Sequence, residues 1–208
     1  MNNNLIIIGA GIYGVVAQEI ALSMNVFDKI DFIDDNAKTT PNGIEVIGTV
    51  SDLENITTEY MNVIVAIGNP KTRLALLQKI EESTPCKIVS LISPNAYISP
   101  SAQIMKGCII EPMSVIHTGC VISRACIISA GAVINHASFC ADGVHVDCNA
   151  TVSGNTVVPS GTKVESGSVF KKDGVFIEDL FMGKEVNTKH LNEDHFTDEQ
   201  EDGLQDGK

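Results

Sequence analysis

The sequence has no segment in which lysine and arginine cluster. Its 208 residues contain 14 Lys and Arg against 26 Asp and Glu, which gives a formal net charge of −12. Nucleic-acid-binding proteins present a basic patch to phosphates, so this class of function is excluded. The acidity is uneven, because residues 191–208 hold seven acidic residues and one lysine. That tail lacks apolar periodicity, and we expect residues 190–208 to be disordered.

Three further features are missing. No C-x-x-C spacing is present to hold zinc, and the cysteine spacings do not form a disulfide framework. No apolar run reaches the length of a membrane span. The first residues, MNNNLIIIGAG, have neither the basic region nor the long apolar core of a signal peptide. We therefore expect a cytoplasmic protein that binds no metal and no membrane.

A repeat with a period of six residues runs from about residue 93 to residue 170. Of thirteen residues spaced by six from Ile98, eleven are Ile or Val. This period fits no α-helix, but it fits a short strand followed by a corner. Small or β-branched residues, among them Cys108, Cys120 and Cys126, stand two places earlier and let the aliphatic stack fill an interior. The repeat predicts a parallel β-helix. Its inward apolar positions are Ile98, Ile104, Ile110, Ile116, Ile122, Ile128, Ile134, Cys140, Val146, Val152, Val158, Val164 and Phe170.

A dinucleotide-binding fingerprint precedes the repeat. Residues 5–8 predict a buried strand that leads into a G-x-G-x-x-G motif at residues 9–14. A helical pattern at residues 15–24 and a second strand at residues 30–33 follow, and two aspartates stand about twenty residues beyond the glycines. In this context the glycines form a tight turn, the helix N-terminus binds phosphate and the acid binds a hydroxyl.

The rest of the N-terminal region is short. We expect a strand at Val63–Ile67, a helix at Lys71–Glu82 opened by Pro70, and a last strand at Ile88–Leu91. This is half of a doubly wound sheet, so a nucleotide with a diphosphate fits better than a whole NAD. The alternative is a structural lid with a relic glycine turn. The predicted domains are an α/β Rossmann-like half domain (1–92), an all-β β-helix (93–170), a C-terminal cap (171–189) and the acidic tail (190–208).

The hexads resemble those of the hexapeptide acyltransferases. Together with a G-x-G-x-x-G domain, they resemble the nucleotide-sugar N-acetyltransferases of the bacillosamine and viosamine type and their sialic acid O-acetyltransferase relatives. The resemblance covers about residues 4–175 and includes the stretches Phe32-Ile33-Asp34-Asp35 and Ala66-Ile67-Gly68-Asn69. It implies a left-handed β-helix, a homotrimer, and acetyl-CoA as co-substrate between subunits.

The resemblance also implies a reaction and its residues. The expected reaction is acetylation of the C4 amine of a UDP- or dTDP-linked 4-amino-4,6-dideoxy sugar, in the biosynthesis of a surface glycan such as O-antigen, capsule or glycoprotein. The implied catalytic residue is His136. The implied substrate-binding residues are Gly9, Gly11, Tyr13, Gly14, Asp34, Asp35, Gly68, Asn69 and Arg73, and the implied acetyl-CoA-binding residues are His145, Gly154, Asn155 and Gly167.

The repeat supports His136 independently. It stands at a corner, two positions after the inward Ile134, so its ring can point outward. A histidine can take a proton from an amine that attacks a thioester at neutral pH. The family commonly has an acid directly after this histidine, where this chain has Ala137. The candidates to replace this acid are Asn135, Asp142, Asp147 and an acid of a partner chain.

Three other functions compete with this interpretation. A sugar O-acetyltransferase, for example one acting on sialic acid, would use the same fold with a hydroxyl acceptor. A metal hydratase of the γ-carbonic anhydrase type would need three convergent histidines, and the spacing of His117, His136 and His145 does not resemble its pattern. A sugar-binding scaffold would bind the nucleotide sugar without consuming acetyl-CoA.

Overall fold

The computed structural model describes residues 3–171 of the chain. The predicted cap and tail lie outside these residues, apart from residue 171. The N-terminal part is a parallel five-stranded sheet with strand order β3-β2-β1-β4-β5. Its elements are β1 (Leu5–Ile8), α1 (Ile12–Met24), β2 (Ile30–Ile33), β3 (Val46–Gly48), a 3-10 turn (Val50–Asp52), α2 (Leu53–Ile56), β4 (Asn62–Val65), α3 (Pro70–Ser83) and β5 (Lys87–Ile88).

The local sequence explains these elements. All four residues of β1 are buried, as expected for a central strand covered on both faces. At the start of α3, the Asn69 side chain accepts a hydrogen bond from the Thr72 N–H at 3.0 Å, and Pro70 occupies the first turn. The predicted half of a doubly wound sheet is confirmed.

The expected single strand at Ile88–Leu91 is wrong. Its first residues belong to β5 in the N-terminal sheet, whereas Leu91 begins β6 (Leu91–Ile92), which pairs with the β-helix. Between the two strands, the Ser90 hydroxyl donates to the Met105 carbonyl at 2.8 Å and accepts from the Cys108 N–H at 3.0 Å. These two bonds attach the connection between the strands to the β-helix.

The second part is a left-handed parallel β-helix of two-residue strands, as predicted. Each coil contributes one strand to each of three sheets, so the cross-section is a triangle with three faces. Face 1 is β6, β9 (Ile109–Ile110), β12 (Ile127–Ile128), β15 (His145–Val146) and β18 (Lys163–Val164). Face 2 is β7 (Tyr97–Ile98), β10 (Val115–Ile116), β13 (Val133–Ile134), β16 (Thr151–Val152) and β19 (Val169–Phe170), and face 3 is β8 (Gln103–Ile104), β11 (Val121–Ile122), β14 (Phe139–Cys140) and β17 (Val157–Val158).

The interior of the β-helix is the stack that the repeat predicts. The second residue of each strand points inward, and the small residue two places earlier lies beside it. Cys108, Cys120, Cys126 and Cys140 are fully buried there as free thiols. Burial raises the pKa of the Cys140 thiol, so it is an inert apolar filler and not a nucleophile.

The corners of the β-helix share one backbone conformation. Every sixth residue from Gly107 to Gly167 has a positive φ. Most of these residues are Gly or Asn, which tolerate this region, but Met113, Ala125 and Ala137 adopt it as well.

The N-terminal domain packs against face 1. The outward residues Leu91, Ile109 and Ile127 of this face are fully buried against α1 and the sheet. Helix α3 lies along the corner between faces 3 and 1, where Leu77 and Leu74 pack close to Gly107 and Gly143. The N-terminal domain therefore covers the side of the triangle that lies opposite the corner between faces 2 and 3.

Candidate active site

The glycine turn is built for close approach of backbone segments. Gly9 has φ +110°, and a Cβ on it would lie 2.8 Å from the Ala66 carbonyl oxygen. A Cβ on Gly14 would lie 2.0 Å from the Gly9 carbonyl oxygen, so only glycine fits. Gly11 is different, because it is exposed and a Cβ there meets nothing within 4 Å. The start of α1 therefore presents open backbone, and no side chain caps it.

The two aspartates after β2 stabilise the surrounding loops. The Asp34 carboxylate accepts hydrogen bonds from the N–H groups of Ala10, Asn36 and Ala37 at 2.8–2.9 Å. Burial alone raises the pKa of Asp34, but these three bonds outweigh it and lower the pKa. Asp35 is exposed and accepts from the Val50 N–H at 2.9 Å. Asp34 thus holds the glycine turn, and Asp35 holds the start of the 3-10 turn.

Arg73 does not have the role expected from the sequence. The resemblance implies that it binds the substrate, but its side chain is fully buried. Its guanidinium donates to the carbonyls of Ile67, Gly68, Ala125 and Gly143. A group enclosed by backbone carbonyls cannot reach a ligand, so the prediction for Arg73 is wrong. In contrast, Gly68 and Asn69 are exposed on the loop after β4.

Tyr13 connects the glycine turn to the β-helix. Its hydroxyl donates to Glu111 Oε1 at 3.1 Å, while Glu111 Oε2 accepts from the Ala130 N–H at 3.1 Å. Burial and the Glu111 carboxylate raise the pKa of the Tyr13 phenol. The phenol therefore acts as a neutral hydrogen-bond donor, and its contact places the glycine turn beside face 1. Sequence reasoning missed Glu111, since an isolated glutamate within the hexads carries no motif.

His136 lies exposed at the corner between faces 2 and 3. The Asn135 side-chain oxygen lies 2.8 Å from both the His136 backbone nitrogen and the His136 Nδ1. The backbone N–H can only donate, so the Asn135 atom must be the amide oxygen, an acceptor. Nδ1 must then carry a hydrogen, which leaves the lone pair of the neutral ring on Nε2. Asn135 is one of the candidates for the missing acid.

Gly154 lies directly above His136 in the next coil. A Cβ on Gly154 would lie 2.8 Å from His136 Cε1 and 2.9 Å from Nε2. The imidazole therefore packs against bare backbone at a position where any side chain would displace it. In addition, the Asn155 N–H donates to the His136 carbonyl at 2.9 Å. Ala137, where the family has an acid, is a buried residue with φ 52°.

His145 lies on face 1, directly above Ile127. Its Nε2 is 3.2 Å from the Ser129 hydroxyl. Burial lowers the pKa of His145, Asp147 partly opposes this, and the Arg73 charge lowers it further. The ring is therefore mainly neutral near pH 7.

The predicted residues other than Gly167 form two groups within one chain. The glycine turn, the loop at residues 67–69 and His145 lie on the side of face 1, whereas His136, Gly154 and Asn155 lie at the opposite corner. Gly167 is at the corner between faces 1 and 2, away from His136, and a Cβ on it would meet nothing within 4 Å. One chain does not bring the two groups together.

An open groove of about 620 Å³ lies elsewhere, between α3 and the corner of faces 3 and 1. Arg124 in its wall pairs with Asp142 and Glu81. None of the predicted substrate or acetyl-CoA residues lines it. Within residues 3–171, no helix combines the length and apolar character needed to cross a membrane, and no cluster of three or more His, Cys, Asp or Glu is placed to hold a metal ion.

Comparisons with known proteins agree with this architecture. The family model of the PglD N-terminal domain matches residues 4–80. The acetyltransferase domain of PglB from Neisseria gonorrhoeae, in complex with acetyl coenzyme A, is 31% identical with a TM-score of 0.77, over 81% of this chain and 82% of that one. A mutant perosamine N-acetyltransferase from Caulobacter crescentus, in complex with CoA and GDP-perosamine, shares the fold at 24% identity and a TM-score of 0.67, over 82% and 89% of the two chains. No curated protein matches the chain.

The β-helix and the G-x-G-x-x-G domain define this chain as a hexapeptide-repeat acyltransferase. It belongs to the family of nucleotide-sugar acetyltransferases of the bacillosamine and viosamine type, whose β-helix follows a PglD N-terminal domain.

Proposed function

We propose that this protein transfers the acetyl group of acetyl-CoA to the C4 amine of a UDP- or dTDP-linked 4-amino-4,6-dideoxy sugar. Residues 1–92 bind the nucleotide sugar, and residues 93–170 bind acetyl-CoA and carry the reaction. The observation that supports this most is the His136 ring, which is exposed and has its Nε2 lone pair free because Asn135 occupies Nδ1. The comparisons support both classes of substrate, because the PglB domain is in complex with acetyl coenzyme A and the perosamine N-acetyltransferase with CoA and GDP-perosamine.

The proposed chemistry is direct transfer. The sugar ammonium loses one proton to solvent, and the free amine attacks the thioester carbonyl. As the C–N bond forms, His136 Nε2 accepts a second proton from nitrogen. The tetrahedral oxyanion then collapses, the C–S bond breaks, and the imidazolium returns the proton to the CoA thiolate. Asn135 holds the imidazole in the tautomer that these proton transfers require, with the hydrogen on Nδ1.

We further propose that the site lies between two chains of a homotrimer. The N-terminal domain lies on face 1 and His136 at the opposite corner, so a site that uses both needs a second chain. Face 2, beside the His136 corner, presents apolar surface, with Tyr97 58% and Val169 68% exposed. Parallel association of three chains would place this corner of one chain against the N-terminal domain and the glycine turn of the next, a closed symmetric arrangement.

The test replaces His136 by alanine and measures acetyl transfer to UDP- and dTDP-linked 4-amino sugars. Loss of a general base should lower kcat by about 10²- to 10⁴-fold, with acetyl-CoA affinity unchanged. The matched control is His117→Ala, since His117 is an exposed histidine next to the same corner one coil below. Turnover that survives His136→Ala would remove His136 as the base.

The identity of the acceptor sugar distinguishes N-acetylation of an amine from O-acetylation of a hydroxyl. The same assay is therefore run with sialic acid and with amino sugars that are not linked to a nucleotide. We expect turnover with the nucleotide-linked amine. Turnover with sialic acid alone would identify an O-acetyltransferase, and binding without release of CoA would identify a sugar-binding scaffold.

A further inference from the structure

Arg73 is fully buried in the contact between the two domains. Its Nη1 donates to the carbonyls of Ile67 at 2.7 Å and Gly68 at 2.9 Å. Its Nε donates to the Ala125 carbonyl at 2.7 Å, and its Nη2 to the Gly143 carbonyl at 2.8 Å. One side chain thus binds four backbone carbonyls.

The four carbonyls come from two places, one in the N-terminal domain and one in the β-helix. Ile67 and Gly68 belong to the loop that ends β4 and presents Asn69. Ala125 and Gly143 are corner residues of two successive coils of the β-helix. The guanidinium therefore fixes the position of the loop at residues 67–69 relative to two successive coils of the β-helix.

Only arginine has the geometry for this contact. Its planar guanidinium has five N–H donors in a rigid fork, whereas a lysine ammonium is a compact charge with three. No carboxylate in residues 3–171 forms an ion pair with Arg73, and the four carbonyl oxygens are its hydrogen-bond acceptors. Moving any of these carbonyls away would leave part of a buried charge without a hydrogen-bond partner, which costs free energy.

We propose that Arg73 is a positioning residue that holds the loop at residues 67–69 in the conformation that binds the nucleoside diphosphate of the substrate. This inference rests on the proposed function. Arg73 does not touch the nucleotide. It acts through the backbone of Ile67 and Gly68, and it ties this loop to the β-helix that carries the acetyl donor.

The experiment compares Arg73→Lys and Arg73→Gln with Leu74→Ala. Leu74 packs on the same corner, close to Gly143, but makes no bond to the loop. Calorimetry then measures binding of UDP, dTDP, GDP and acetyl-CoA to each full-length variant. We expect both Arg73 variants to bind the preferred nucleoside diphosphate about 10- to 100-fold more weakly, with acetyl-CoA affinity unchanged. Leu74→Ala should lower the unfolding temperature and keep the nucleotide affinity.

Three results would overturn the inference. Equal nucleotide affinity in Arg73→Lys and wild type would show that the four bonds do not matter for binding. A parallel loss in Leu74→Ala would show that general stability, not the loop, is responsible. A wild-type chain that binds none of the three nucleotides contradicts the proposed function itself, and the inference with it, which distinguishes this failure from the other two.

Hydrogen exchange tests the inference on the wild-type protein, so the result does not depend on whether the Arg73 variants fold. If Arg73 holds the loop, exchange of the amides of residues 66–69 changes little when nucleotide is added. Fast exchange that becomes slow only with bound nucleotide would mean that the ligand orders the loop, and the inference would be wrong.

Discussion

The His136 imidazole is held on two sides. The Asn135 amide oxygen accepts a hydrogen bond from its Nδ1, and the bare backbone of Gly154 lies close to the ring. An amide oxygen orients the ring as a carboxylate would, but it lacks the negative charge that stabilises an imidazolium. Orientation is therefore the main contribution that these two neighbours make to the proposed base.

Gly154→Ala should show whether catalysis depends on the position of the His136 ring, because this variant keeps the ring but moves it. The backbone of Gly154 is outside the left-handed region, so alanine fits the local conformation. The new Cβ would push the ring from its place, and a displacement of about 1 Å can lower kcat about 10²-fold. Steady-state kinetics measures the effect, with Ser153→Ala as the neighbouring control.

The unfolding temperature of Gly154→Ala should stay close to that of wild type, because the atom that must move is the end of an exposed side chain. Wild-type kcat in this variant would mean that the ring tolerates a new position, and that Gly154 does not place the base.

At the scale of the structural element, non-glycine residues at the corners of the β-helix have a strained backbone. The pairing of the strands must offset this cost in free energy. Non-glycine residues lose about 1 kcal/mol or more in the left-handed conformation. Met113 occupies such a corner with φ 63° and is 72% exposed, so its side chain contributes little packing. The regular pairing of strands above and below fixes this conformation regardless of the residue type.

Met113→Gly should therefore stabilise the protein by about 1 kcal/mol, because glycine adopts this φ without strain. Chemical denaturation measures the free energy of unfolding. Met105→Gly is the matched control, since Met105 is 38% exposed and lies outside the left-handed corners. The control should be destabilised, and a loss of stability in both variants would contradict the explanation from backbone strain.

At the scale of the whole molecule, the N-terminal domain and His136 lie on opposite sides of one triangular β-helix. A complete site then requires two chains, so two inactive variants should complement each other. Gly11→Asp is suited to this test because Gly11 has open space around it, and aspartate is a favourable N-cap residue that would repel a diphosphate.

Co-expression of Gly11→Asp with His136→Ala should restore activity, although each variant alone is inactive. With random assembly, about a quarter of the sites combine an intact glycine turn with an intact His136 from the next chain. The measurement is specific activity of the purified mixed oligomer. If each site lay within one chain, the mixture would stay as inactive as its components.

Most of the architecture could be predicted from local patterns. The period of six residues sets the strands, the inward stack and the corners, because each coil repeats the same short-range packing. The strand β2 has the predicted bounds, and α3 begins with the expected Pro70. The strand expected at Ile88–Leu91 failed, because an apolar run does not reveal that its two ends pair with different sheets.

The sequence by itself determined the two domains, the glycine turn and the exposed corner position of His136, since each follows from the spacing of residues along the chain. Only the tertiary structure decided that Arg73 is a buried contact between domains and not a substrate-binding residue, and that Asn135 and Gly154 hold the imidazole. These contacts join residues that are distant in sequence or depend on the orientation of a side chain at a corner. The physical reason is that hydrogen bonds to backbone carbonyls and close approach to a bare Cα leave no periodic pattern in the amino acids.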